Sequence, residues 1–326
     1  MLEIKMFNLA WGHSVAVREA FVKYCKTTTI ITPQSLMKYD YPAHEGEKAL
    51  ISLTADVILN TLGLTYKHIF ITSGATGGCV ISLRAFKQLG YTHCFTRQPP
   101  FYVRYPKMIE ASGLEHTLNP LKNHSGTVAM IDLPSNPLGV MTTPSFIGLP
   151  VILDAVYLNQ VYMNPIQVKH IPHDVLIGSY SKLLGINGIR LGYMATNDDQ
   201  LAAKMSELVT SEYCGLSMPS QDLLIDILPT FDWHQFYPYA RYKLDLNREQ
   251  FQRIEKFFQD TPVNPIGMFY YAPTDQKCKD ILVRAGVQYV PGSSMGTTDA
   301  FGRFNLAQDN KLVEEAVRAI LKADRI

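Results

Sequence analysis

The stretch Val175-Leu176-Ile177-Gly178-Ser179-Tyr180-Ser181-Lys182 opens with four apolar or small residues and then turns to hydroxyls and an amine. A short apolar run without polar alternation is the pattern of a strand buried on both faces, since a sheet with one wet face alternates. The same texture recurs in His68-Ile69-Phe70-Ile71-Thr72, Val128-Ala129-Met130-Ile131-Asp132-Leu133, Val151-Ile152-Leu153-Asp154 and Leu191-Gly192-Tyr193-Met194-Ala195. From about residue 45 to residue 215 amphipathic stretches separate these runs, as crossover helices separate parallel strands. The fold class is therefore α/β, a parallel sheet covered by helices.

After Pro229 the texture changes to a long helix-like segment over Tyr237–Phe258, then a shorter α+β pattern closing on a helix over Asn310–Ala323. The first forty or so residues do not extend the alternating pattern and are expected to pack with this C-terminal part. At roughly 100–200 residues per domain, 326 residues suit two domains. The expected division is a large domain over 40–235 and a small one from 1–39 together with 236–326.

Composition narrows the function. Thirty basic and 29 acidic residues leave a formal charge of +1, so no general field attracts nucleic acid or an anionic membrane, and any anion must be held locally. Five scattered cysteines with no CxxC pair suit a reducing compartment rather than a disulfide scaffold or zinc knuckle. No signal-like or membrane-spanning run is visible, which makes a soluble, cytoplasmic protein the expectation. His170-Ile171-Pro172-His173 reads as a loop rather than a metal site, because Pro172 breaks the spacing that ligands on a helix would use. Tyr237-Pro238-Tyr239-Ala240-Arg241-Tyr242 reads as helix packing between domains.

Four places carry chemistry. In Ile71-Thr72-Ser73-Gly74-Ala75-Thr76-Gly77-Gly78, small side chains stand where a buried strand gives way to a helix, so an anion can approach the free N–H groups. An ordinary strand-to-helix turn explains the same residues, and the segment matches neither the dinucleotide fingerprint nor a P-loop. In Gly178-Ser179-Tyr180-Ser181-Lys182-Leu183-Leu184-Gly185-Ile186-Asn187-Gly188-Ile189-Arg190, a lysine, hydroxyls and a fixed cation follow a strand. An amine able to form a Schiff base beside a guanidinium suits a phosphate-bearing aldehyde. Asp154 ends an apolar strand and needs a partner, either the next helix or a cation such as a protonated pyridine nitrogen. Asn136, in Pro134-Ser135-Asn136-Pro137-Leu138-Gly139, and Tyr157 could donate to a phenolic oxygen, although turn chemistry accounts for Asn-Pro equally well.

Taken in this order, these segments resemble the fold-type I pyridoxal-phosphate enzymes, specifically class I/II aminotransferases related to aspartate aminotransferase, over nearly the whole chain. The resemblance implies a mostly parallel seven-stranded sheet, with a smaller α+β domain drawn from both chain ends. It implies pyridoxal 5'-phosphate held as a Schiff base by Lys182, with Asp154 keeping the ring nitrogen protonated. Ala75, Thr76, Ser179 and Arg190 correspond to the phosphate cup, and Asn136 and Tyr157 to the pair on the phenolic oxygen. Phe101, in Gln98-Pro99-Pro100-Phe101-Tyr102, matches the aromatic that stacks on the ring, with Tyr102 a near competitor and core packing the plain alternative. Tyr41 matches the tyrosine that reaches the neighbouring subunit's phosphate, which implies a homodimer.

Arg303, in Phe301-Gly302-Arg303-Phe304-Asn305-Leu306-Ala307, matches the arginine that clamps the substrate α-carboxylate, and Gly12 the glycine that lies over the substrate. His13 beside it reads as a structural or specificity residue. The implied reaction is transamination between an amino acid and a 2-oxo acid by a ping-pong mechanism, with Lys182 as base. A decarboxylase or β-elimination lyase using the same cofactor is the alternative, and Arg303, by holding a carboxylate, favours retaining it. A non-catalytic protein that has inherited the fold is the reading from another class.

Two departures stand out. Only 18 positions separate Asn136 from Asp154, and Pro144, Gly148 and Pro150 fall among them, so a covering helix is expected to be missing there. The usual Asp-Glu pair reads Asp154-Ala155. No second arginine is assigned to a distal carboxylate.

Overall fold

The computed structural model describes residues 5–26, 40–120, 124–141, 148–163 and 171–325. Part of the expected small-domain segment 1–39, the middle of the Asn136–Asp154 crossover at 142–147, and His170 lie outside the described residues.

The strands, in chain order, are β1 (Phe7–Asn8), β2 (His68–Thr72), β3 (His93–Phe95), β4 (Glu115–Thr117), β5 (Thr127–Asp132), β6 (Val151–Asp154), β7 (Val175–Ser179), β8 (Gly192–Thr196), β9 (Phe269–Pro273), β10 (Val287–Gln288), β11 (Val290–Pro291) and β12 (Phe301–Asn305). The helices are α1 (Val15–Tyr24), α2 (Lys48–Leu53), α3 (Gly74–Gln88), α4 (Tyr105–Ala111), α5 (Tyr180–Leu183), α6 (Asp199–Tyr213), α7 (Met218–Ile227), α8 (Trp233–Gln252), α9 (Gln276–Arg284) and α10 (Asn310–Ala323).

Seven strands form one sheet in the order β2-β8-β7-β6-β5-β3-β4. The pairs among β3 to β7 are parallel, as two-sided burial suggests. Strand β8, by contrast, runs antiparallel to both β2 and β7. The chain between β7 and β8 is spent on the single helical turn α5 and a glycine-bearing loop, with no covering helix to make a parallel crossover, so it re-enters the sheet in the opposite sense.

Alternate residues along each central strand face opposite cores. Phe70, Met130, Ile152, Ile177 and Met194 join Ile81 and Leu83 of α3 and Met205 of α6 on one side. Ile71, Ile131, Leu153, Leu176 and Ala195 join Val17 of α1, Leu224 of α7 and Leu244 of α8 on the other. This is why the runs read as continuous hydrophobicity.

A second, smaller set of strands lies apart: β11-β12-β9 is antiparallel, and β1 pairs in parallel with β10, Phe7 opposite Val287. Phe7, Leu9, Phe251, Tyr270, Leu282, Phe304 and Val317 share its core. Helix α10 spans the expected residues. Helix α8 starts earlier than the sequence suggests, at Trp233, where the Asp232 carboxylate accepts from the Gln235 N–H at 3.2 Å. It ends at Gln252, and a separate tight turn holds Glu255–Phe258. Among the described residues no helix is long and apolar enough to cross a membrane.

Candidate active site

The carboxyl ends of β5, β6 and β7 place Asp132, Asp154 and Ser179 at one edge of the sheet, where open α/β sheets form their ligand crevice. A cavity of about 870 Å³ opens there, walled on its far side by Ala10, Gly12, Phe269 and Arg303.

Its anion side is built by two turns pressed together. Gly74 has φ +64°, and a Cβ there would stand 2.7 Å from Nη2 of Arg190. Gly192 faces it from β8, where a Cβ would meet the Gly74 carbonyl carbon at 2.7 Å and the Ala75 nitrogen at 2.8 Å. Only glycine lets the start of α3 sit this close to the loop carrying Arg190. Arg190 donates to the Asn187 carbonyl at 3.0 Å, and among the described residues no carboxylate pairs with it. Ala75, Thr76, Ser179 and Ser181 complete this wall. Ser179 caps α5 by accepting from the Ser181 N–H at 3.1 Å, which fixes the first turn of the helix that carries Lys182.

Lys182 points into the cavity, and its Nζ donates to the Gly12 carbonyl. Its backbone is clamped from below: the buried Tyr162 hydroxyl donates to the Lys182 carbonyl at 2.9 Å. Burial, helped by the Arg303 and Arg190 charges, brings the amine down to about 8. Asp154 is a buried acid without a cationic partner among the described residues. It accepts from the Tyr105 hydroxyl at 2.8 Å and the Val156 N–H at 3.2 Å. Burial, reinforced by the neighbouring Asp132 carboxylate, pushes it up to about 7.

Arg303 leaves β12 buried. It donates to Asn136 Oδ1 and to the Ala10 carbonyl, both at 3.2 Å, and its guanidinium carbon lies 4.2 Å from the Phe269 ring centre. Its Nε is buried with no hydrogen-bond partner among the described residues. The strip Ala10–His13 is stitched to the same strand: Asn305 Nδ2 donates to the carbonyls of Trp11 (2.5 Å) and His13 (2.7 Å). Trp11, 60% exposed, and His13 meet edge to face at the rim.

The cavity brings together Gly12, Ala75, Thr76, Asn136, Asp154, Tyr157, Ser179, Lys182, Arg190 and Arg303 of the sequence-derived set. Two residues fall elsewhere. Phe101 is buried outside it, with its ring against His116 at 5.7 Å and its edge 3.0 Å from where a Cβ at Gly296 would sit. Tyr102, its sequence neighbour and the competitor for the stacking position, lines the cavity. Tyr41 is 88% exposed and does not line its own chain's cavity.

Several lining residues escaped the sequence reading. Tyr105 is fully buried one helical turn beyond Tyr102, and its ring meets that of Tyr102 at 5.2 Å. The spacing of three residues at the start of a helix is the signal that could have paired them. Asp132 carries the same signal as Asp154, a carboxylate at the end of an apolar strand, whereas Cys79, Arg104 and Tyr213 carry no local signal.

The family model for class I and II aminotransferases matches residues 37–320. By sequence, no curated protein matches the chain. Among solved structures it is similar to an aminotransferase from Mycobacterium tuberculosis (20% identity, TM-score 0.78, covering 98% of this chain and 91% of that one). It is similar also to a double mutant of Thermus thermophilus aspartate aminotransferase (15%, 0.77, 98% and 92%) and to tyrosine aminotransferase from Leishmania infantum (17%, 0.73, 98% and 91%). Structural likeness at such identities establishes the fold, and the family model, which spans most of the sequence, establishes the lineage: the chain belongs to the class I and II aminotransferase family.

Proposed function

We propose that this aminotransferase binds pyridoxal 5'-phosphate in the cavity through Lys182 and moves an amino group between an amino acid and a 2-oxo acid in two half-reactions. The observation that carries the reading is the conjunction, in one cavity, of an amine brought down to about 8 with a buried carboxylic acid and a guanidinium cup, neither of which has an ion-pair partner among the described residues. Each incomplete group matches one part of that cofactor: its aldehyde, its ring nitrogen and its phosphate. When bound, pyridoxal phosphate supplies an aldehyde that takes up the amino nitrogen and a protonated ring that withdraws electrons from Cα.

The chain's own residues do the rest. Arg190 and the first N–H groups of α3 hold the phosphate, with the serines and Thr76 as further donors. Asp154 holds the proton of the ring nitrogen. Asn136, whose Oδ1 is already taken by Arg303, has its amide Nδ2 to donate to the phenolic oxygen beside the Tyr157 hydroxyl. Arg303 binds the α-carboxylate and so fixes the substrate's orientation and which Cα bond is broken. Lys182, once its amine is neutral, takes the proton from the substrate Cα. The exposed Tyr41 supports a homodimer in which that side chain reaches the neighbouring subunit's phosphate. The pairing of β1 with β10 supports the division into a unit of 40–235 and one of 1–39 with 236–326. Five free cysteines fit a reducing cytoplasm.

Purified protein mixed with pyridoxal phosphate is expected to develop a visible-edge absorbance band that borohydride fixes on Lys182 and that Lys182→Ala lacks. A stopped-flow screen of amino acids against that band then reads the half-reaction. Release of carbon dioxide or ammonia from a single substrate, with no need for a 2-oxo acid, would replace transamination by decarboxylation or elimination. Absence of the band would end the cofactor reading.

A further inference from the structure

Asp154 has a carboxylate neighbour that the scheme above leaves unused. Asp132 closes β5 as Asp154 closes β6, and the two are register partners in parallel strands. Asp132 is buried, lines the same cavity, and is tied on three sides. Its Oδ2 accepts from the Asn136 N–H at 2.7 Å, its own carbonyl accepts from Arg97 Nη2 at 2.9 Å, and Arg97 Nε lies 3.3 Å from its Oδ1. That last approach is an ion contact without hydrogen-bond geometry: among the described residues both Arg97 Nε and Asp132 Oδ1 are buried with no hydrogen-bond partner. The Arg97 charge therefore favours the ionised form of a buried Asp132, and that charge is felt at Asp154.

We propose that Asp132, held by Arg97, is a positioning residue that acts through Asp154: its negative charge at the adjacent strand end strengthens the site's hold on a cationic ring nitrogen.

The other groups facing Asp154 do not supply this field. Tyr105 from α4 and Cys79 from α3 face it, with Tyr102 and Tyr157 from the loops, and burial drives all four up toward their neutral forms. Burial pushes the Asp132 carboxyl up too, but the Arg97 charge and the Asn136 N–H act against it, so Asp132 is the charged neighbour that can raise the proton affinity of the pair formed by Asp154 and the ring nitrogen. Its bond to the Asn136 N–H has a second effect. It fixes the turn from which Asn136 Oδ1 meets Arg303, linking Asp132 to the carboxylate clamp. The idea rests on the reading that pyridoxal phosphate occupies the cavity, and the test keeps the two apart.

Asp132→Asn removes the charge and keeps an oxygen for the Asn136 N–H. Dissociation constants are measured by fluorescence quenching for two probes: pyridoxal phosphate, and its analogue with carbon in place of the ring nitrogen. The native protein is expected to prefer pyridoxal phosphate, and the variant to lose about tenfold of that preference, one pKa unit being a factor of ten. A merely structural role would weaken both probes equally, and an unchanged ratio overturns the proposal. Failure of the native protein to bind either probe would instead overturn the cofactor reading. Should the variant not fold, the native apoprotein with ¹³C-labelled aspartate carboxyls decides by NMR. Two mutually coupled carboxyls titrating above the ordinary aspartate range are expected, and finding none there overturns the proposal.

Discussion

Replacing Asp154 by asparagine should stabilise the cofactor-free protein, and increasingly so as the pH rises. The carboxyl titrates at about 7 in the folded chain against 3.8 for the ordinary group, because burial and Asp132 both disfavour its charge. Below 3.8 it is protonated in both states and contributes no pH dependence. Between 3.8 and about 7 the native state keeps a proton that the unfolded state has released, so native stability falls as pH rises. At about 1.4 kcal/mol per pH unit over roughly three units, the deficit reaches about 4 kcal/mol by pH 8 and then levels off. The amide of the Asp154→Asn variant has no proton to lose. The unfolding free energy of the variant minus that of the native apoprotein should therefore climb by about 4 kcal/mol between pH 4 and pH 8, whatever constant offset the amide introduces. Urea unfolding of both apoproteins at pH 4, 5, 6, 7 and 8 measures it. A difference flat across that range would refute the assignment of Asp154 as a buried acid lacking a cation. Adding pyridoxal phosphate should reverse the order, since a ring cation relieves the native carboxylate and has nothing to pair with in the variant.

Other perturbations read the remaining parts of the site. Arg303→Lys keeps the charge but loses the planar fork, so KM for the amino acid should rise about 10- to 100-fold, the worth of one charge-assisted bond, with a smaller change in kcat; an unchanged KM would remove the carboxylate role. Gly74→Ala should weaken pyridoxal-phosphate binding at least tenfold, because the new methyl lands 2.7 Å from Arg190 Nη2 at a positive φ. Gly63→Ala, also at positive φ but with open space around it, is the control that should alter stability alone. Tyr102→Leu should shift the spectrum and affinity of the bound cofactor, whereas Phe101→Leu should lower the melting temperature and leave both intact; the opposite result would restore Phe101 to the stacking position.

What the sequence made readable, and what it hid, divides along physical lines. The central strands were legible because double-sided burial removes polar residues from both faces, and Lys182, Arg190 and Asp154 stood out because charged residues ending such runs need a reason. Strands β3 and β4 were not, since three residues each show no period. The antiparallel sense of β8 escaped too, because hydrophobic periodicity carries no direction. Phe101 and Tyr102 are adjacent in a loop, where nothing periodic says which ring turns inward. Tyr105 was hidden for another reason: a tyrosine at the start of a short helix looks like core until its hydroxyl is seen 2.8 Å from Asp154. Asp132 and Arg97 are 35 positions apart and meet only through the sheet order, which no local pattern encodes.

The strip Ala10–His13 is fastened to Arg303 and Asn305, so the first and last parts of the chain form one wall. Synthesis proceeds from the N-terminus, and early parts of a chain can fold before later ones exist. On a ribosome that has not yet made β12, the sheet edge with Lys182 and Asp154 can form while its opposite wall has nothing to anchor it. On the proposed reading coenzyme capture is a late event in the life of each molecule, and a chain cut short before residue 303 is expected to lack the wall that closes the cavity.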